Sequence, residues 1–126
     1  MSAAWKDVRV VSRVLIVDDH PGFRRFARSL LQAEGLDVVG EAEDERSALA
    51  AVKRLRPGLV LLDVLLPGRD GFVVAERLRE LDPALAIILI SSRTAEELGG
   101  RLREAPVAGF VHKDELSASA LAWALR

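Results

Sequence analysis

Four short apolar runs, each closed by a polar residue, constrain this chain more than any other feature. Val14-Leu15-Ile16-Val17 ends on Asp18-Asp19, and Leu59-Val60-Leu61-Leu62 ends on Asp63. Ile87-Ile88-Leu89-Ile90 ends on Ser91, and Gly109-Phe110-Val111-His112 ends on Lys113. Apolar runs this short, bounded by turn formers, read as buried strands. Segments with helical spacing lie between them. Such alternation predicts a parallel sheet, because each helix returns the chain to start the next strand in the same direction. Equivalent strand ends then line one rim, where three carboxylates, a hydroxyl and an ammonium are expected to meet.

Met1 to Ser12 reads as a flexible leader and 13–126 as one domain. Pro21 opens a helix to about Glu34, with Phe23, Phe26, Ala27, Leu30 and Leu31 as its buried stripe and Gly35 past its end. Leu36 to Ala42 is a second strand, placed at the sheet edge. Asp44 caps a helix through Leu55 that Arg56-Pro57-Gly58 stops. Pro67 to Gly71 is a loop, followed by a helix from Phe72 to Leu81. Ala86 to Ile90 is the fourth strand. A fourth helix from Thr94 to Glu104 is weak, because Gly99 and Gly100 each cost about 1 kcal/mol relative to Ala. Val107 to His112 is the fifth strand. Leu116 to Leu125 is the last helix, with Leu116, Ala120, Trp123 and Ala124 toward the sheet and Leu121 and Leu125 at the border. The fold class is α/β, a (βα)5 flavodoxin-like doubly wound parallel five-stranded sheet in the order 2-1-3-4-5. Its switch point joins Asp18-Asp19 to Asp63.

The 126 residues suit one domain, and 50% hydrophobic content excludes a disordered chain. A net charge of -1 gives no electrostatic drive toward bulk nucleic acid or anionic membrane. The chain has no cysteine, which excludes disulfides and thiolate metal sites. The segment 1–11 lacks the apolar core of a secretory signal. No run approaches the roughly 18 apolar residues of a membrane span, so a cytoplasmic location is expected.

Three carboxylates in one pocket must take up protons or hold a cation. Two of them about 4 Å apart repel by roughly 4 kcal/mol at an effective dielectric near 20. Hard oxygen donors suit Mg²⁺ or Mn²⁺. Asp19 and Asp63, with Asp18 direct or through water, are the expected ligands. Asp63 stands alone between the acid pair and the Ser91/Lys113 pair, which makes it the candidate phosphoryl acceptor. A carboxylate nucleophile needs no general base. Lys113 is expected to pair with Asp63 before transfer and with a phosphate oxygen afterwards, and Ser91 to hold another. Taken singly, each residue has an ordinary use: an aspartate as cap or turn former, a serine as strand terminator, a lysine on the surface. Their placement at the ends of successive strands is what points to phosphoryl chemistry. His20 reads as a surface loop histidine, and His112 as facing away from Lys113. Neither reads as a metal ligand or a phosphohistidine.

From Arg13 onward the chain resembles a bacterial two-component response regulator receiver domain. The matching segments are Val14-Leu15-Ile16-Val17-Asp18-Asp19, Leu61 to Gly71, Ile88-Leu89-Ile90-Ser91-Ser92 and Gly109-Phe110-Val111-His112-Lys113. The spacings of 44 residues from Asp19 to Asp63 and 22 from Ser91 to Lys113 agree as well. The resemblance implies that a histidine kinase or phosphotransfer protein feeds Asp63. It implies that Asp18, Asp19, Asp63 and the Leu65 backbone carbonyl hold Mg²⁺. It assigns Ser91 and Lys113 to the phosphoryl group and makes Ser91 and Phe110 the switch pair. Asp114 stands where the family usually has proline, a variant seen in the subfamily with LuxR-like DNA-binding outputs. The output surface, and a possible homodimer interface, would be the fourth helix, fifth strand and last helix.

The implied role is a phosphorelay switch that assists its own phosphorylation and dephosphorylation but is not otherwise an enzyme. No direct nucleic-acid or membrane binding is expected of it. A stand-alone receiver and a receiver cut from a longer DNA-binding regulator both stay open. An aspartyl-phosphate phosphohydrolase is disfavoured, because its Asp-x-Asp signature is absent after the first strand. A mononucleotide binder would want a glycine- or hydroxyl-rich phosphate loop there, which Asp-Asp-His-Pro is not.

Overall fold

The structure is a computed structural model that describes residues 13–125. The leader 1–12 lies outside the described residues. In chain order the elements are β1 (Arg13–Val17), α1 (Pro21–Ala33), β2 (Asp37–Ala42), α2 (Glu45–Leu55), β3 (Leu59–Asp63), β4 (Leu65–Leu66), β5 (Arg69–Asp70), α3 (Gly71–Leu81), β6 (Ala86–Ser91), α4 (Ala95–Leu98), α5 (Gly100–Glu104), β7 (Gly109–His112) and α6 (Ala118–Ala124). Five strands form one parallel sheet in the order β2-β1-β3-β6-β7. This is the expected 2-1-3-4-5 order once the separate β4-β5 pair is set aside.

Side-chain alternation splits the sheet's apolar residues between two faces. Leu15, Val17, Val60, Leu62, Ile87 and Leu89 pack with α2 and α3, and Leu98 and Leu102 of the broken fourth helix lie against this layer. Val14, Ile16, Leu59, Leu61, Ile88 and Ile90 pack with Ala27 and Leu31 of α1 and Leu121 of α6. Every residue of β3 is buried, as a central strand covered on both sides requires. The Asp44 carboxylate accepts from the Ser47 backbone N–H at 2.8 Å, which fixes the start of α2.

Three local expectations are corrected. The loop after β3 contains an antiparallel hairpin, Leu65 opposite Asp70 and Leu66 opposite Arg69. Pro67-Gly68 turns it, with Gly68 at φ 67° supplying the positive φ that a Pro-Gly turn needs. Gly99, at φ 64° and ψ -144°, divides the fourth helix into two short pieces. The last helix starts at Ala118, not Leu116, because Ser117 is its extended cap and Leu116 sits before it at φ -62°, ψ 126°. Leu116, Ala120 and Ala124 pack toward the sheet as expected, and the correction concerns Trp123 and Leu121. Leu121 is buried, while Trp123 is 71% exposed.

Candidate functional site

The strand registers bring the polar residues together. Val17 pairs with Leu62, Asp63 with Ile90, and Ser91 with His112, so each strand finishes within about one residue of its neighbour. Asp18 continues β1 by donating its N–H to the Ala42 carbonyl at 3.0 Å. Asp18, Asp63 and Ser91 are the buried polar residues of the described chain. By alternation Asp18, Asp63 and Lys113 share the α1/α6 face of the rim. Ser91 and Phe110 belong to the opposite face, where Phe110 is partly buried against the core.

Lys113 Nζ lies 2.6 Å from Asp18 Oδ2 and 3.4 Å from Asp63 Oδ2. Its closer partner is Asp18, where the sequence pointed to Asp63. The electrostatics of the two acids differ accordingly. Burial, followed by the nearby Asp18 charge, raises the Asp63 pKa from 3.8 to about 6, against hydrogen bonding from the Leu65 N–H and the pull of Lys113. Burial also opposes ionisation of Asp18. There the hydrogen bonds from Lys113 and the His20 backbone, with the ammonium charge, prevail and hold its pKa below the usual carboxylate value. Asp18 is thus the firmer anion of the pair. Lys113 is further held by Phe23, with Nζ 4.4 Å from the ring centroid.

The loop between β1 and α1 is built by short hydrogen bonds. The His20 backbone N–H donates to Asp18 Oδ1 at 2.8 Å. Arg24 donates to the Asp18 carbonyl at 2.6 Å and to Glu41 Oε1 at 3.0 Å, tying this loop to β2. On the other side of the rim, Ser91 Oγ accepts from the Arg93 N–H at 3.0 Å. The Leu65 N–H donates to Asp63 Oδ1 at 3.1 Å, and the Leu65 side chain is 60% exposed.

The donor set fits a divalent cation. Oxygen or nitrogen atoms of Asp18, Asp19, His20 and Asp63 lie within 4.8 Å of one another. Asp18 Oδ2 and Asp19 Oδ1 are buried oxygens whose close partners are charged groups, Lys113 Nζ for the first and the His20 imidazole for the second. A bound cation would satisfy both oxygens and relieve the repulsion that raises the Asp63 pKa.

His20 lies in an exposed surface loop as expected, and the structure adds its contact with the acid pair. Its imidazole Nδ1 stands 3.0 Å from Asp18 Oδ1 and 3.2 Å from Asp19 Oδ1, while the side chain keeps 68% of its surface exposed. Adjacency to the acid pair was the available signal. His112 behaves as expected in turning away from the acids. Its Nε2 meets the Ser92 carbonyl at 2.8 Å and its Nδ1 accepts from the Asp114 N–H at 3.1 Å.

A five-stranded parallel α/β sheet whose switch point gathers three aspartates and a lysine defines a doubly wound domain with an acidic rim. The family described as "Response regulator receiver domain" matches residues 14–125, and this chain belongs to it. The chain is 37% identical over 103 residues to the Mycobacterium tuberculosis protein named "Probable transcriptional regulatory protein NarL", covering 81% of this chain and 48% of that protein. A two-component response regulator of the LuxR family from Aurantimonas sp. SI85-9A1 superposes with TM-score 0.77 at 29% identity, over 88% of this chain and 79% of that one. The isolated REC domain of RcsB from Salmonella enterica serovar Typhimurium, solved in the presence of phosphomimetic BeF3-, gives TM-score 0.77 at 26% identity, over 90% and 84%. The chain spans about half the length of the curated relatives it matches. Among the described residues, no helix is long and apolar enough to cross a membrane.

Proposed function

We propose that this chain is a phosphorelay switch that accepts a phosphoryl group on Asp63. The observation that carries the reading is the convergence of Asp18, Asp63 and Lys113 at the rim, with Lys113 within 3.4 Å of both acids. In the transfer, an Asp63 carboxylate oxygen forms a bond to phosphorus. The bond from phosphorus to the donor breaks, and the donor leaves with its electron pair. The donor chemistry is a phosphohistidine of a kinase or phosphotransfer protein, or a small acyl phosphate. Asp18, Asp19, Asp63 and the Leu65 carbonyl would hold Mg²⁺, which supplies charge neutralisation for the incoming phosphoryl oxygens. Lys113 would move from the acid pair toward the phosphoryl group, and the Ser91 hydroxyl would donate to another of its oxygens. Relation to transcriptional regulators supports a role in controlling an output. The cytoplasm is the compartment that this donor chemistry favours.

Acetyl phosphate with Mg²⁺ is expected to add one phosphoryl group, read by intact mass and placed on Asp63 by peptide mapping. EDTA should suppress the adduct. Labelling that is independent of metal, or that falls on another residue, would refute the reading.

The same reading assigns the switching surface to α4, α5, β7 and α6. Gly99 breaks the first helical segment, and neither α4 nor α5 buries a residue, so the pair is held weakly. A groove of roughly 460 Å³ runs between this segment and α6, lined by Thr94, Phe110, His112, Trp123 and Ala124 among others. Drawing Ser91 inward would let Phe110 shift and repopulate this surface, which could also serve a homodimer. Beryllofluoride with Mg²⁺ is expected to shift amide resonances most in residues 92–104 and 107–125. A response confined to residues around Asp63 would count against this surface.

A further inference from the structure

We infer that His20 is a metal-specificity residue, adding an imidazole nitrogen to the carboxylate site and biasing it toward first-row transition-metal ions over Mg²⁺. The inference rests on the metal-binding part of the reading above. Its basis is the spacing of atoms. His20 Nδ1 is 3.0 Å from Asp18 Oδ1 and 3.2 Å from Asp19 Oδ1. Ligands about 2.1 Å from one octahedral ion stand about 3.0 Å apart when adjacent, so the nitrogen and both oxygens already have the spacing of neighbouring donors. The imidazole needs no large movement to exchange its contacts with the acids for a shared cation.

Backbone structure keeps the ring there. His20 caps α1 at φ -92°, ψ 108°, and Pro21 follows at the first helical position. The His20 N–H is anchored on Asp18 Oδ1, and the Asp18 carbonyl is held by Arg24. A ring at the mouth, with 68% of its surface open, is reachable by a hydrated ion. Asp19 Oδ1, beside the ring, is buried, and the imidazole is its close partner.

An all-oxygen site discriminates weakly among divalent ions, whereas a nitrogen donor raises affinity along the series from Mn²⁺ to Ni²⁺ and adds little for Mg²⁺, which prefers oxygen. The cost of losing such a donor is expected to be at least the tenfold typical of groups that only orient a ligand.

The test uses the tag-free chain, stripped of metal, at one fixed near-neutral pH. Calorimetric titrations with NiCl₂ and MgCl₂ are run on the parent, His20→Phe, His112→Gln and Asp19→Asn. His20→Phe is expected to weaken Ni²⁺ binding at least about tenfold more than it weakens Mg²⁺ binding. His112→Gln should bind Ni²⁺ as the parent does, and Asp19→Asn should weaken both ions. Separately, Mn²⁺ bound to the parent should show nitrogen hyperfine coupling in pulsed electron paramagnetic resonance, and His20→Phe should abolish it. Equal losses for the two ions, Ni²⁺ binding that survives in Asp19→Asn, or absence of nitrogen coupling would each overturn the assignment. Mg²⁺-dependent labelling of Asp63 stands or falls independently, so failure of this inference is distinguishable from failure of the acceptor assignment.

Discussion

Replacing Asp63 with Asn is expected to abolish the acetyl phosphate adduct and, in EDTA at neutral pH, to stabilise the folded chain by about 2–3 kcal/mol. The first effect follows from the chemistry, since an amide oxygen is a far poorer nucleophile than a carboxylate and forms no stable acyl phosphate. The second follows from linkage. Burial and the Asp18 charge raise the Asp63 pKa in the folded state from 3.8 to about 6. Between those values the folded state holds more protons than the unfolded one, so stability falls as pH rises through that window and the penalty is complete above it. A shift of about two units corresponds to the stated energy at 1.36 kcal/mol per unit. Asparagine removes the charge and keeps an oxygen for the Leu65 N–H, while Lys113 retains Asp18 at 2.6 Å. Urea denaturation of both proteins in EDTA measures the difference, and repeating it with Mg²⁺ should narrow or reverse it. A less stable Asp63→Asn protein in EDTA would show that the acid cluster is not a source of strain.

Gly71→Ala is expected to cost about 3 kcal/mol or more, and to impair phosphoryl acceptance although residue 71 carries no chemistry. Gly71 opens α3 directly beneath the site. Its N–H donates to the Val64 carbonyl at 2.8 Å, which closes the base of the β4-β5 hairpin. A Cβ there would press on the Asp63 carbonyl oxygen and come within 2.6 Å of the Val64 carbonyl oxygen and 2.7 Å of Val64 Cα. All three are backbone atoms at the end of β3, so they cannot yield by changing rotamer. Either Asp63 and Val64 or the first turn of α3 must shift. Chemical denaturation and the acetyl phosphate assay report the two consequences. A variant within about 0.5 kcal/mol of the parent, the range of an ordinary surface change, would contradict the close approach.

The strands and the rim residues are legible in the sequence because both are written in short-range terms. A run such as Leu59-Val60-Leu61-Leu62 is apolar at every position, so its burial on both faces needs no knowledge of its neighbours. Right-handed connection of parallel strands then limits the strand order, and with it the residues that meet at the rim. The sequence therefore places Asp18, Asp63, Ser91 and Lys113 at one rim. The β4-β5 hairpin was not, since a two-residue pair has no periodicity to detect. The start of the last helix, and with it the placing of Leu121 and Trp123, was not legible for a related reason. Alanine, serine and leucine between 116 and 125 suit a helix at every position, and only the extended backbone at Leu116 and Ser117 sets where the turn count begins.

By itself the sequence determined the (βα)5 order, the central position of β3 and the identity of the groups at the rim, because hydrophobic patterning and chain direction act along the chain. The tertiary structure alone decided how those groups share charge and space. Lys113 lies nearer Asp18 than Asp63, the His20 ring bridges Asp18 and Asp19, Trp123 faces solvent and Gly71 sits against the backbone of Asp63 and Val64. Each outcome depends on distances of a few ångströms between side chains or backbone atoms, or on the rotation of one short element. Coulomb energies and steric contacts at that scale vary steeply with position, and no residue pattern encodes them.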